Sequence, residues 1–152
     1  MKKKVLIILP SFTIGGAENM VYELSNNINT EYFDVVVLCY CGKQNTSLEK
    51  KAEHRIDVHY VNCAGTVTCS KIYIVFREIN RIQPDIVHAH MGGALYAALW
   101  TLKTRKPLVV TIHATPKNAF SNLIENVLRL RMKMGRCRLV AVSEENKRLV
   151  DQ

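Results

Sequence analysis

Short, unbroken apolar runs alternate along this chain with stretches that are apolar on one side only. Residues 5–9, 35–38 and 108–112 are almost entirely apolar, as is typical of strands in a parallel sheet whose two faces are both covered by helices. After the first run, apolar residues recur at the spacing of one helical face, at Ala17, Met20, Val21, Leu24 and Ile28. The pattern predicts alternating strands and helices.

The same reasoning places elements along the whole chain. We predict strands at residues 4–9, 34–40, 57–61, 86–88, 108–112 and 139–142, and helices at residues 17–29, 70–82, 93–102, 120–134 and from 144 onward. Residues 42–51 are predicted to form a polar loop. We therefore expect a doubly wound α/β fold, with a mainly parallel, Rossmann-like sheet of six or seven strands and helices on both faces. In such sheets, ligands bind at the carboxyl ends of the strands.

Size and composition limit the classes of protein to which the chain can belong. Its 152 residues, 48% of them hydrophobic, suffice for one domain with a substantial core. No apolar run approaches the roughly 18 residues of a membrane span. The lysines at positions 2–4 precede an apolar run as in a signal peptide, but that run is short and no small-residue cleavage site follows it. We expect a cytoplasmic protein.

The five cysteines favour reduced thiols over a disulfide framework, because their number is odd and they lie mostly in predicted strands and loops. Cys39 and Cys41 are spaced as a potential pair of metal ligands. No second cysteine pair or suitably spaced histidine pair accompanies them, so we predict no metal site.

Much of the net charge of +8 comes from one basic segment near the end of the chain. The basic segment contains Arg129, Arg131, Lys133, Arg136 and Arg138, with no acidic residue among them. Such a run is either a solvated helix face or a surface for an anionic ligand, and unbalanced cations favour an anionic membrane or polyphosphate. We expect no nucleic acid as a partner, because few aromatic residues lie among these cations to stack on bases.

The glycines between the first strand and the first helix are candidate phosphate ligands. Gly15 and Gly16 lack β-carbons, so a ligand can approach their backbone N–H groups closely. The N-terminus of the following helix adds unpaired donors and a partial positive charge. A tight strand-to-helix turn, as in any α/β domain, is the alternative interpretation.

Histidines end two of the other predicted strands at the same edge of the sheet. His90 closes the fourth strand and His113 follows the fifth, so both are candidate site residues. We expect His88 and His90 to face different layers of the cleft, with His90 the better placed and His88 structural. Ser143 ends the sixth strand and is most simply the N-cap of the final helix.

Four motifs in this order and spacing resemble those of the N-terminal domain of family 4 glycosyltransferases, which are retaining enzymes with the two-Rossmann-domain architecture called GT-B. The motifs are Gly15-Gly-Ala-Glu18, Pro84-Asp-Ile-Val-His-Ala-His90, Thr111-Ile-His113 and Val140-Ala-Val-Ser-Glu144. They span nearly the whole chain and together are fairly specific for the family, although not for any sugar or acceptor.

The resemblance implies roles for individual residues. Gly15 and Gly16 would lie against the diphosphate of a nucleotide-sugar, and His113 would polarise or orient the transferred sugar and the acceptor hydroxyl as the catalytic residue. His90, Glu18 and Ser143 would lie on the acceptor side of the cleft. No cofactor or metal is expected, and the sequence has no Asp-x-Asp pair that would hold Mg²⁺.

The resemblance also implies a division of labour between domains. Residues 1–152 correspond to the acceptor-side domain, and the family's second domain, which carries most donor contacts, is expected to be absent or supplied by a partner subunit. The implied function is hexosyl transfer from a nucleotide-sugar to a glycan or lipid-linked acceptor, as in bacterial surface polysaccharide synthesis. The chain would then be a domain fragment, a truncated frame or a half-enzyme, peripheral at the inner face of the membrane.

Two alternatives are considered for this chain. One is a non-catalytic subunit of a split transferase that binds the acceptor or anchors a catalytic partner to the membrane. The other is a dinucleotide-dependent dehydrogenase, which requires Gly-x-Gly-x-x-Gly after the first strand. The loop reads Ser-Phe-Thr-Ile-Gly-Gly-Ala-Glu instead, so the sequence does not favour the second alternative.

Overall fold

The computed structural model describes residues 1–113 and 122–143 of the chain. Its strands are β1 (Lys3–Leu9), β2 (Phe33–Cys39), β3 (Asp57–Tyr60), β4 (Ile86–His90), β5 (Leu108–Ile112) and β6 (Cys137–Ala141). Its helices are α1 (Gly16–Asn27), α2 (Ser47–Glu53), α3 (Cys69–Ile82), α4 (Gly93–Thr104) and α5 (Asn122–Lys133).

The six strands of the described residues form one sheet in the order β3-β2-β1-β4-β5-β6, and every pair of neighbouring strands is parallel. This confirms the predicted doubly wound, Rossmann-like α/β fold. The strand order reverses between β1 and β4, so the loops that follow these two strands diverge and leave a crevice at the carboxyl edge.

Two hydrophobic cores cover the two faces of the sheet. Along β1, Leu6 and Ile8 belong to the core formed with α3, α4 and α5, whereas Val5, Ile7 and Leu9 belong to the core formed with α1 and α2. All five side chains are buried. Because successive side chains of a strand point to opposite faces, a strand covered on both sides has to be apolar at every position.

Gly93 allows α4 to lie directly on the central strand. A β-carbon at this position would lie 2.8 Å from the carbonyl oxygen of Ile8, which is shorter than the distances at which β-carbons contact other heavy atoms. The close approach brings the start of α4, and the loop that precedes it, next to the carboxyl end of β1.

The predicted polar loop at residues 42–51 was wrong, because α2 begins within it. The Thr46 hydroxyl accepts a hydrogen bond from the backbone N–H of Glu49, and the buried Glu49 carboxylate accepts from the backbone N–H of Asn45 at 2.6 Å. Thr46-Ser-Leu-Glu49 has the sequence signature of a capping box, a helix-start signal that was present in the sequence, although Glu49 accepts from the residues just before the N-cap Thr46.

The buried face of α1 also differs from the prediction. Leu24 is 37% exposed, whereas Glu18, Val21 and Ser25 are buried. Ser25 can be buried because its hydroxyl donates to the carbonyl of Val21 at 2.7 Å. Pattern reasoning counts only apolar residues, so a polar residue with an internal hydrogen bond shifts the true face. The helix predicted from residue 144 lies outside the described residues.

Candidate functional site

The carboxyl edge of the sheet brings His90 and His113 into direct contact. His90 ends β4 and pairs in register with Thr111 of β5, and His113 follows β5 directly. Nδ1 of His90 lies 2.9 Å from Nε2 of His113, and the ring centroids are 5.2 Å apart. Two residues 23 positions apart in the sequence therefore form one hydrogen-bonded pair.

His88 and His90 lie on the same face of β4, so the expectation that they face different layers was wrong. Their ring centroids are 4.3 Å apart. Residues two positions apart in a strand share a face, and β4 continues to His90 rather than ending at His88. Nε2 of His88 lies 2.8 Å from the Thr111 hydroxyl, and this contact ties the ring to the neighbouring strand β5.

Burial keeps the three rings neutral. It lowers the pKa of His88 to about 4, with a smaller contribution from His113, and it lowers the pKa of His90 to about 3, with smaller contributions from His88 and His113. Burial also lowers the pKa of His113, while the negative charge of Glu18 opposes that change. At neutral pH these residues therefore act through hydrogen bonds rather than through positive charge.

Glu18 lies in the first turn of α1, and its carboxylate is buried. The Thr13 hydroxyl donates to Glu18 Oε1 at 2.6 Å, and the N-terminus of the helix also favours a negative charge at this position. The start of α1 follows β1 and His113 follows β5, so both lie at the carboxyl edge of the sheet, where the negative charge of Glu18 acts on the His113 ring.

Gly15 and Gly16 differ in their surroundings. Gly15 is the N-cap of α1 in an extended conformation, and a β-carbon there would clash with the Glu18 carboxylate. A β-carbon on Gly16 would meet open space. No side chain caps the helix, so its first N–H groups have no side-chain cap as a partner, although the Glu18 carboxylate lies at the same helix end.

Ser143 follows β6 at the same edge of the sheet and is exposed. The helix that it was predicted to cap lies outside the described residues, so its capping role stays a prediction.

The basic segment lies at the opposite edge of the sheet from the histidines. Its turn at residues 134–136 leads into β6, and the cations at residues 103–106 lead into β5, so both groups lie at the amino ends of parallel strands. The N–H of Leu108 donates to the carbonyl of Arg136, which holds the two groups together. These cations therefore make no part of the cleft around His113.

The prediction that Arg131 belongs to an exposed cationic surface was wrong. Its side chain is fully buried, and Nη2 donates to the carbonyl of Lys106 at 2.6 Å. Arg129 is exposed but forms an ion pair with Glu125 at 2.7 Å. Lys133, Arg136 and Arg138 remain as exposed cations of the segment without a carboxylate partner among the described residues.

Sequence reasoning missed the two threonines of the site. Thr13 holds the Glu18 carboxylate and Thr111 holds the His88 ring. Thr111 lies within an apolar strand, where a polar residue is a recognisable signal. Thr13 has no such signal, because polar residues are expected in any strand-to-helix loop.

Among residues 1–113 and 122–143, no three His, Cys, Asp or Glu side chains are arranged to hold a metal ion. The helices of this part of the chain include none that is long and apolar enough to cross a membrane. All five cysteines are free thiols.

The fold is similar to those of several solved structures that are only distantly related in sequence. HepE (Alr3699) of Anabaena, solved in complex with UDP-glucose, has 18% identity and a TM-score of 0.70 over 99% of this chain and 40% of its own. A glycosyltransferase from Rickettsia africae has 18% identity and a TM-score of 0.70 over 97% of this chain and 38% of its own. A putative UDP-N-acetylglucosamine 2-epimerase from Listeria monocytogenes has 18% identity and a TM-score of 0.62 over 99% of this chain and 41% of its own.

These similarities establish the fold, and the chain spans about two fifths of the length of these structures. A search of curated protein sequences finds no match. The family model described as Glycosyltransferase Family 4 matches residues 14–152, which include the glycines of α1 and the histidines at the ends of β4 and β5. The chain therefore belongs to glycosyltransferase family 4.

Proposed function

We propose that this chain forms the acceptor-side domain of a retaining glycosyltransferase that moves a hexose from a nucleotide-sugar to a glycan or lipid-linked acceptor. The observation that carries the proposal is that His113, Glu18 and a helix N-terminus without a side-chain cap all lie at the carboxyl edge of the sheet, where the strand order reverses. HepE, which has a similar fold, was solved with UDP-glucose.

Because the chain spans two fifths of the length of such structures, the complete reaction is proposed for a cleft that a second, donor-binding domain closes. We assign the diphosphate to the N-terminus of α1, where backbone N–H groups and the helix dipole offset the charge of the leaving group. No cofactor is needed in this scheme, and bacterial surface polysaccharide synthesis is the proposed setting.

His113 is the candidate catalytic residue. It is partly exposed, and its Nε2 is occupied by His90, so Nδ1 is the nitrogen left to meet a substrate. In a neutral ring, this nitrogen orients an oxygen of the sugar or acceptor through one directed hydrogen bond, which contributes when the interaction strengthens in the transition state.

Titration of the isotope-labelled chain with UDP-glucose, followed by NMR, tests the donor assignment. We expect weak, millimolar binding, because this domain supplies only part of a donor site, with shifts at the amides of Gly15, Gly16 and Ala17. Binding in the micromolar range, or shifts confined to residues away from this turn, would contradict the assignment.

We also propose that the exposed part of the basic segment associates with an anionic membrane, which would place the protein in the cytoplasm at the inner face of the membrane. Leu130 and Met134 are about half exposed beside Lys133, and a surface of this kind suits both the acyl region and the headgroups. Since this surface lies at the amino edge of the sheet, it would anchor the domain without contributing to the cleft.

A further inference from the structure

The hydrogen bond between His90 and His113 has a direction that their surroundings determine. His90 is completely buried, so it does not touch an acceptor from its position in the sheet. Its Nδ1 contacts His113, while its Nε2 is buried without a hydrogen-bond partner among the described residues. Both rings are neutral, so each carries a single N–H hydrogen.

Two arrangements of these hydrogens are compatible with the contact. In one, His113 donates from Nε2, and the hydrogen of His90 then lies on its buried and unpaired Nε2. In the other, His90 donates from Nδ1 to Nε2 of His113, and the unpaired atom of His90 is a lone pair. A buried N–H without an acceptor is rarer than a buried acceptor without a donor, which favours the second arrangement.

The His90 ring has a second neighbour, the ring of His88. The His88 ring lies 4.3 Å from it on the same face of β4, and His88 is itself bonded to Thr111. Thr111 pairs in register with His90 on the neighbouring strand. Because the supporting groups belong to paired strands, the ring of His90 has a rigid setting, unlike a histidine in a loop.

We propose that His90 is a positioning residue that donates a hydrogen bond from Nδ1 to Nε2 of His113 and so fixes the tautomer of His113 in which Nδ1 carries the hydrogen. This inference rests on the proposed role of His113 in the cleft. It makes His113 a hydrogen-bond donor toward a substrate oxygen, such as a hydroxyl or phosphate oxygen, and not a base that removes a proton. It also replaces the predicted acceptor contact of His90 with an indirect role.

Long-range ¹H–¹⁵N NMR of histidine side chains distinguishes the two tautomers directly, without substrate or turnover. In the unaltered chain at pH 7.5, we expect a protonated Nδ1 and an unprotonated Nε2 for His113. In His90→Asn, the side-chain amide can still donate from near the position of Nδ1, so the tautomer should persist. In His90→Leu, the donor is lost, and His113 should shift toward the Nε2–H tautomer that free histidine favours.

His54, which is exposed at the end of α2, is the internal control and should give the same signals in all three proteins. An Nε2–H tautomer of His113 in the unaltered chain would overturn the proposal, and so would an unchanged tautomer in a folded His90→Leu variant. Should His90→Leu fail to fold, the unaltered chain and His90→Asn still decide the question. Shifts on UDP-glucose addition that are confined to residues away from Gly15 and Gly16 would contradict the donor assignment of the proposed function without affecting this tautomer assignment.

Discussion

The carboxylate of Glu18 lies against Gly15, in the volume that a β-carbon at position 15 would occupy. It is held there by the Thr13 hydroxyl at 2.6 Å. Gly15 is therefore required by the local packing of the loop, whereas the space beside Gly16 is open. Local packing therefore accounts for Gly15 and does not account for Gly16.

This difference makes the alanine variants of the two glycines a matched pair. Gly15→Ala should displace the Glu18 carboxylate and reduce the free energy of unfolding by about 1.5–3 kcal/mol, the value of a hydrogen bond to a charged group. Gly16→Ala should leave it unchanged or raise it by up to about 0.5 kcal/mol, because alanine favours a helix. Urea denaturation measures both. Equal losses in the two variants would refute the packing argument for Gly15.

The proposed diphosphate site leads to a second prediction for Gly16, which concerns the affinity for UDP-glucose. If the diphosphate approaches this backbone, the added methyl group of Gly16→Ala should weaken UDP-glucose binding even though stability is preserved. NMR titration of the variant beside the unaltered chain measures the change. Undiminished affinity would remove Gly16 from the donor site.

Replacement of His113 should affect the reaction much more than stability. In a full-length transferase that contains this chain, His113→Ala is expected to lower turnover by two to three powers of ten, equivalent to about 2.7–4 kcal/mol of transition-state stabilisation. His113 is only partly buried at the end of a strand, so the melting temperature should change little. His54→Ala, at an exposed helix end, is the control, and turnover of His113→Ala near that of the control would leave His113 a structural residue.

Because His88 and His90 are buried as neutral rings, we expect the protein to lose stability in mild acid. Burial lowers the pKa of His88 to about 4 and that of His90 to about 3, against the ordinary value of 6.5 in the unfolded chain. Between about pH 6.5 and 4, the unfolded state therefore binds more protons, and stability falls as the pH is lowered. Each histidine contributes a slope of up to about 1.4 kcal/mol per pH unit within its window.

Urea denaturation of the unaltered chain and of His90→Leu, at intervals between pH 7.5 and pH 4.5, tests this prediction. Other groups that titrate in this range are common to both proteins. The comparison of slopes isolates the contribution of His90, because the variant lacks only that ring. The slope should be shallower in the variant, and parallel profiles would show that His90 is not held neutral by burial.

Membrane association should depend on exposed cations at the amino ends of β5 and β6. Changing Lys133, Arg138 and Lys103 to glutamine is expected to weaken co-sedimentation with vesicles that contain phosphatidylserine, since each cation near an anionic surface contributes up to about 1 kcal/mol. Added salt should weaken binding of the unaltered chain in the same way. Arg131 is left in place, because its buried guanidinium bridges two turns of the fold.

The matched control for this experiment changes Lys50, Lys51 and Arg55 to glutamine. These exposed cations lie on and just after α2, and their replacement alters the net charge equally. Binding that falls equally in both triple variants would mean that the net charge, and not this surface, attracts the vesicle. Equal binding to neutral and anionic vesicles, or none to either at low salt, would leave the basic segment as a solvated surface.

The order of the strands and helices could be predicted from the sequence, because strands and helices each have a local pattern of apolar residues. An unbroken apolar run such as residues 5–9 of β1 indicates a strand that is covered on both faces, and a stripe of apolar residues as in α3 indicates a helix on one face. Alternation of the two makes a parallel sheet the simplest arrangement, and parallel strands bring their carboxyl ends together. The edge on which Gly15, His90 and His113 meet could therefore be identified before any contact was known.

Only the tertiary structure decided which of these residues form hydrogen bonds with each other and which are buried. The bond between His90 and His113 depends on the register of β4 against β5, which no local pattern specifies. The burial of Arg131 in a segment of cations depends on carbonyl groups brought close by two separate turns. The sequence by itself determined which groups reach the carboxyl edge of the sheet, because the periodicity of apolar residues is a local property. Pairing, burial and protonation depend on neighbours that are distant along the chain.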